Sequence, residues 1–231
     1  TTATPIRWLD EIRDMSDELF RGTVAEDLSL AQAIIRRILP APDYVAALYT
    51  LDEEIQDLEQ KLKDSKKPEP EKKQIEAQIR KATLSWEKTK GIPEILKKHL
   101  KPNINKFIIF CKDKKHLDQM EWVVESWFQK ASLFRHRKKY HLLSGDKEND
   151  QNLEEFKEAK SKETAHLMFA IDMLNEGIHI PDVGAVILLR PTESPIVFFQ
   201  QIGRCIQVGI EHTPIIFDLV NNFQNIRAND F

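Results

Sequence analysis

Residues 166–207 read HLMFAIDMLNEGIHIPDVGAVILLRPTESPIVFFQQIGRCIQ, and the order of patterns in them sets the fold class. Residues 167–171 form a short, bounded apolar run, the pattern of a buried strand. Residues 185–189 form a second, closed by Arg190 and Pro191. Between them, Asp172, Asn175, Glu176 and Gly177 make a polar, glycine-bearing stretch, read as a loop at a strand's carboxyl end. A helix follows that carries Gln200, Gln201, Gly203 and Arg204. Strand, loop, strand and helix in this order predict a parallel α/β sheet. Ligands of open parallel sheets bind at the carboxyl edge of the strands. The expectation is therefore that the Glu176 loop and the Arg204 helix share one rim.

The same rhythm extends in both directions. Residues 107–111 (FIIFC) read as a buried strand, followed by a polar loop over 112–115. A helix comes next, with Leu117, Met120, Val123, Val124 and Trp127 facing inward and His116 as a polar residue at its start. Residues 134–140 (FRHRKKY) hold a compact basic run. It is expected at the amino end of a strand over 140–143, away from the rim, with Ser144 and Gly145 ending that strand on the rim. Leu153, Phe156 and Ala159 suggest the crossover helix that a parallel connection requires. Residues 214–219 read as the last strand and residues 44–49 as the first.

The flanks differ. Residues 6–39 read as two helices, one striped by Trp8, Ile12, Met15, Leu19 and Phe20, the other by Leu28, Ala31, Ile34, Ile35 and Ile38. In the stretch 52–100, Ile55, Leu58 and Leu62 continue a seam from Leu51 on a charged background. Pro68 and Pro70 break it, and Ile75, Ile79 and Leu84 resume it. This predicts an antiparallel helical hairpin with a coiled-coil-like seam. Its mixed charges make no phosphate-binding face, so it reads as a solvated insertion or a partner arm. The expected layout is an end of a preceding domain with a helical linker over 1–40, the α/β domain over 41–51 and 101–231, and the hairpin over 52–100.

The 231 residues carry 34 Lys and Arg against 37 Asp and Glu, a net charge of −3. Any nucleic-acid binding therefore needs a local patch. Cys111 and Cys205 are the only cysteines, and neither sits in a paired motif, which argues against zinc and against a disulfide framework. No apolar run is long enough to span a bilayer. The expectation is a cytoplasmic protein with no membrane contact and no resident metal.

NEGIHIPDV (175–183) resembles the fifth motif of superfamily 2 helicases and translocases, and QQIGRCIQ (200–207) resembles the sixth, Q-x-x-G-R-x-x-R. Residues 107–111 with their polar loop resemble the fourth motif. Thr2-Ala3-Thr4 resembles the third, which closes the first of two RecA-like domains. The resemblance implies the second, C-terminal RecA-like domain of a DEAD/DEAH-type helicase, a parallel sheet flanked by helices. The spacing E-G-x-x-x-P-D-V is similar to that of restriction-enzyme motor subunits. The resemblance also implies roles. Arg204 would be the catalytic arginine, approaching the phosphates of ATP across a domain interface. Glu176, Gly177, Gln200 and Gly203 would lie beside the nucleotide. Lys112, Ser144 and Asp172 would contact the backbone of DNA, or of RNA. ATP and Mg2+ would be held mainly by a first RecA-like domain that lies outside this chain.

Departures from the family pattern qualify these roles. The phosphate-cradling pattern G-x-x-x-x-G-K-[ST] does not occur. Asp10-Glu11-Ile12-Arg13 and Asp17-Glu18-Leu19-Phe20 begin like a magnesium motif and fail at its last position. The chain by itself is expected not to hydrolyse ATP. Gln207 stands where the sixth motif ends in a second arginine, commonly the finger on the γ-phosphate. Ile171 stands where many relatives have a threonine that touches nucleic acid, and His179 where they have an aspartate. Gln207 motivates a second reading, a catalytically silent nucleic-acid-binding or scaffolding module. The hairpin motivates a third, an interaction protein.

Overall fold

The computed structural model describes residues 28–47, 91–171, 179–192, 194–210 and 212–222, and the backbone of 6–7 and 10–14. The predicted hairpin over 52–100 lies outside these residues except for its last ten positions. Strands β1 (Ile6–Arg7) and β2 (Asp10–Asp14) pair antiparallel. Then come α1 (Leu30–Ile35), β3 (Asp43–Ala46), α2 (Gly91–His99), β4 (Lys106–Phe110), α3 (Lys114–Ala131), β5 (His136–Leu142) and α4 (Asn149–Glu158). β6 (Thr164–Ala170), β7 (Ala185–Leu188), α5 (Pro195–Ile202) and β8 (Ile215–Asp218) complete the order.

Six strands form one sheet in the order β3-β8-β7-β4-β6-β5, and every pairing is parallel. A sheet covered on both faces needs strands that are apolar throughout rather than alternating. β7 meets this fully, and β4 and β8 meet it but for Lys106 at the start of one and Asp218 at the end of the other; every residue of the three is buried. One face packs Phe107, Ile109, Leu167, Phe169 and Phe217 under α2 and α3. The other packs Ile108, Phe110, Met168, Val186 and Ile216 under Phe156 of α4 and Phe198 and Ile202 of α5.

The helix starts are written locally. Asp113 caps α3, its Oδ1 accepting the His116 N–H at 2.8 Å. The Nδ1 of His116 accepts the Lys112 N–H, so His116 is a turn-building residue. Ser194 caps α5, with Pro195 in its first turn. Ser29 and Gln32 form a reciprocal capping box at α1.

Two expectations fail. Among the described residues of 6–39, 6–7 and 10–14 are strands where a helix was expected, and only Leu30–Ile35 is helical. The segment 10–14 holds one apolar residue in five, too few to define a period. The second helix stops early because Arg37 takes a left-handed φ of 59°. Ile35 and Ile38, counted as core stripe, are 79% and 47% exposed.

The basic run is also misplaced by the sequence reading. From His136 onward it lies inside β5, which spans His136–Leu142 at the sheet edge, and not before a strand over 140–143. Alternation explains how an edge strand tolerates it. Arg137, Lys139 and His141 share one side, where Lys139 Nζ lies 3.0 Å from Glu121 and 3.1 Å from Glu125, both on α3. Arg137 lies 4.0 Å from Glu125 and His141 3.4 Å from Glu121. Lys138 turns the other way to Glu155 of α4, at 2.8 Å. The run is thus a set of ion pairs that ties the edge strand to both flanking helices, and its charge also blunts the open edge.

Beneath α4, the Tyr140 hydroxyl and His166 Nδ1 lie 3.0 Å apart in the core. Burial holds the His166 pKa below the ordinary imidazole value. In the unfolded chain His166 takes up a proton near pH ~6.5, while the folded chain resists it. Its contribution to stability is therefore full above that pH and is lost as pH falls toward the folded value. The midpoint of urea unfolding is expected to drop between pH 7.5 and 5.5, and His166→Asn to flatten that drop. An equal drop in the variant would remove His166 as its cause.

Candidate functional site

The predicted site residues that the structure describes fall into two groups at opposite edges of the sheet. Lys112 and Ser144 are at the carboxyl edge, both exposed, just beyond β4 and β5. With β6 between these strands, their ends lie two strand spacings apart, roughly 10 Å. The Ser144 loop is pinned from below. Asn149 receives the Leu143 N–H on Oδ1 and donates Nδ2 to the Leu143 carbonyl. Gly145 turns the chain at a φ of 78°. Asp146 spends one carboxylate oxygen on the Glu148 N–H, at 3.0 Å. Asp172, Glu176 and Gly177 lie outside the described residues.

Gly203 and Arg204 are at the other edge. Cys205 Sγ lies 3.9 Å from the carbonyl of Ile215, the first residue of β8. The turn beside them, residues 179–184, is tied to Lys106, the first residue of β4. The expectation that the Arg204 helix shares the carboxyl rim is therefore corrected. The reason is topological. A helix that joins parallel strands begins beyond the carboxyl end of one and must end at the amino end of the next. α5 starts on the carboxyl rim at Ser194 and has delivered the chain to the opposite edge by Arg204.

Each residue of the motif has a physical setting. Gln200 is half-buried in the last turn of α5. Gln201 faces fully inward, and neither of its amide atoms has a hydrogen-bond partner. Gly203 follows the helix with an ordinary φ of −59°. A Cβ there would come within 2.9 Å of the Phe199 carbonyl oxygen, so the glycine serves close packing on its own helix. Arg204 is half-buried, and burial pulls its pKa down. A guanidinium starts so high that it stays charged at any physiological pH. Cys205 is deeply buried, its thiol pushed up to about 12, and is an inert core residue. Cys111 is held at about 12 in the same way.

Gln207, where the family pattern has its second arginine, is occupied structurally. Its Nε2 donates to the Ile180 carbonyl at 2.6 Å and to the Arg204 carbonyl at 2.8 Å. Lys106 was missed by the sequence reading. It is 2% exposed, and its Nζ donates to the Lys157 carbonyl at 2.7 Å and the Pro181 carbonyl at 3.5 Å. A lone charge opening an otherwise apolar strand was the available signal. Among the described residues no cluster of His, Cys, Asp and Glu is arranged to hold a metal, and no helix is long and apolar enough to cross a membrane.

A parallel RecA-like sheet with this motif at one edge defines a class, and the comparisons agree. The model of the helicase conserved C-terminal domain matches residues 87–209, more than half of the chain, and the chain belongs to that family. It is a C-terminal RecA-like domain of the superfamily 2 type. The chain is similar in fold to the fragment structure of a putative HsdR subunit of a type I restriction enzyme from Vibrio vulnificus YJ016. The identity is 20% and the TM-score 0.56, over 95% of this chain and 40% of that one. It is similar, too, to the ATP-dependent type ISP restriction-modification enzyme LlaBIII bound to DNA. There the identity is 19% and the TM-score 0.50, over 94% of this chain and 15% of that one. A 51.5 kDa protein of a Lactococcus phage (isolate 7-9) is 33% identical over 76 residues, 33% of this chain and 16% of that protein. The chain therefore spans less than half the length of each of these relatives.

Proposed function

We propose that this chain is the second motor domain of an ATP-dependent DNA translocase or helicase, and that it completes an ATP site formed with a first RecA-like domain. The observation that carries this reading is the Arg204 segment, a permanent cation whose backbone is hydrogen-bonded in place. A planar guanidinium suits phosphate oxygens. ATP with Mg2+, held mainly by the first domain, would supply the γ-phosphoryl group. Arg204 would neutralise charge spread over that group's oxygens and so stabilise its transfer. Gln200 and Gly203, with Glu176 and Gly177, would line the nucleotide side.

Lys112 and Ser144, with Asp172, would meet the phosphate backbone at the other edge. Separate edges for nucleotide and polymer let one rigid sheet transmit domain closure to the track. Backbone contact makes binding sequence-tolerant and salt-sensitive. DNA is the proposed track because LlaBIII, similar in fold, is bound to DNA, with RNA as the other polymer to test. The basic strand β5 is excluded from the interface because its charges are spent on carboxylates.

The test is steady-state ATP hydrolysis by the intact protein, alone and with single- and double-stranded DNA and RNA. Stimulation by DNA is expected. Absence of hydrolysis with every polymer, from folded protein, would instead favour a catalytically silent binding module, the reading that Gln207 motivates.

A further inference from the structure

The turn over residues 179–184 is held from two sides. Lys106 takes the Pro181 carbonyl, and the same Nζ takes the Lys157 carbonyl at the last turn of α4. Gln207 takes the next carbonyl back, that of Ile180, and the same amide nitrogen takes the Arg204 carbonyl. Gly184 closes the turn on the sheet, its N–H donating to the Lys106 carbonyl at 3.1 Å. A continuous path of hydrogen bonds thus runs from α4 and β4, through the turn, to the backbone of Arg204.

We propose that Gln207 is a positioning residue that sets the place of Arg204 by clamping its carbonyl to the Ile180 turn, with Lys106 as the anchor on the far side of that turn. This rests on the reading of Arg204 given above and deepens it. The chemistry favours a clamp over a substitute finger. An amide NH2 has two donor hydrogens, and both lie within reach of carbonyls here. A glutamine has no charge to place on a phosphate. At this position the chain has exchanged a reaching cation for a lock on the remaining one. A lock has catalytic value because a small misplacement of a group that acts in the transition state costs turnover steeply.

The experiment is ATP turnover by the intact protein at a saturating level of the stimulating polymer. Gln207→Met keeps the length of the side chain and removes the donor. It is expected to lower kcat by at least about tenfold while KM for ATP moves less than about twofold. Gln207→Glu sets a carboxylate against two carbonyls and is expected to lower kcat at least as far. Lys106→Met is expected to lower kcat in the same direction but less. The deciding readout is the double variant. In the Arg204→Ala background, Gln207→Met should cost nothing further, because a residue that acts through Arg204 has nothing left to position.

Full kcat in Gln207→Met would overturn the proposal. So would an undiminished loss in the double variant, since Gln207 would then act on the nucleotide by itself. Thermal unfolding of each variant separates a lost clamp from a lost fold. Should Gln207→Met fail to fold, Gln207→Glu and Lys106→Met carry the same comparison. A wild-type protein without ATPase activity would remove both this proposal and the proposed function. An active one that is indifferent to Gln207 would remove only the clamp.

Discussion

Arg204→Ala is expected to lower the polymer-stimulated ATP turnover of the intact protein by about a thousandfold, with little change in nucleotide affinity. The split follows from where charge develops. Most nucleotide contacts belong to the first domain in this reading, so the ground state loses little. The guanidinium is needed when charge spreads over the transferred group, and that is when its loss is felt. The effect should be large because Gln207 offers no reserve: its amide is committed to Ile180 and Arg204 carbonyls. Arg204→Lys should recover only a small part, since a point charge does not reproduce the planar fork. Turnover within about threefold of wild type in Arg204→Ala would remove Arg204 from the catalytic role.

Gly184→Ala is expected to destabilise the domain by about 2–3 kcal/mol. The new Cβ would stand 2.4 Å from Ile104 Cγ2 and 3.0 Å from Ile104 Cβ and Cγ1. Ile104 is fully buried and branched at Cβ, so it has no flexible end that can swing aside. The backbone must shift instead, and the backbone there is the turn that holds Gln207. Urea unfolding of the chain measures the cost. Ile104→Ala makes room, so Ile104→Ala with Gly184→Ala should be less destabilised than the sum of the two single changes. A Gly184→Ala domain within about 0.5 kcal/mol of wild type would show that the close packing is not needed.

The interior of the sheet was legible because its strands are continuous apolar runs bounded by polar residues. β4, β6, β7 and β8 fall within three residues of where those runs begin and end. The edge at β5 was not legible. In β5, Arg137, Lys138 and Lys139 mimic a solvated turn until their partners are known, and Glu121, Glu125 and Glu155 are 12 or more residues away in sequence. The short segment 10–14 offered too little periodicity to separate strand from helix.

For the site, residue types could be read but not their distribution in space. Arg204 was expected on the carboxyl rim because its helix follows a strand that ends there. The direction of a parallel crossover already forbids it, since the helix must end at the amino edge. The double hydrogen bond of Gln207 depends on Ile180, 27 residues earlier, and no local pattern announces it.

The most direct measurement is a structure of the intact protein with ADP and a metal fluoride in the γ-phosphoryl position. The account predicts the Arg204 guanidinium within about 3 Å of the fluoride group, a hydrogen-bonding distance, with Gln207 Nε2 still on the Ile180 carbonyl. Arg204 turned away from the fluoride, with Gln207 or no residue of this domain in its place, would contradict it.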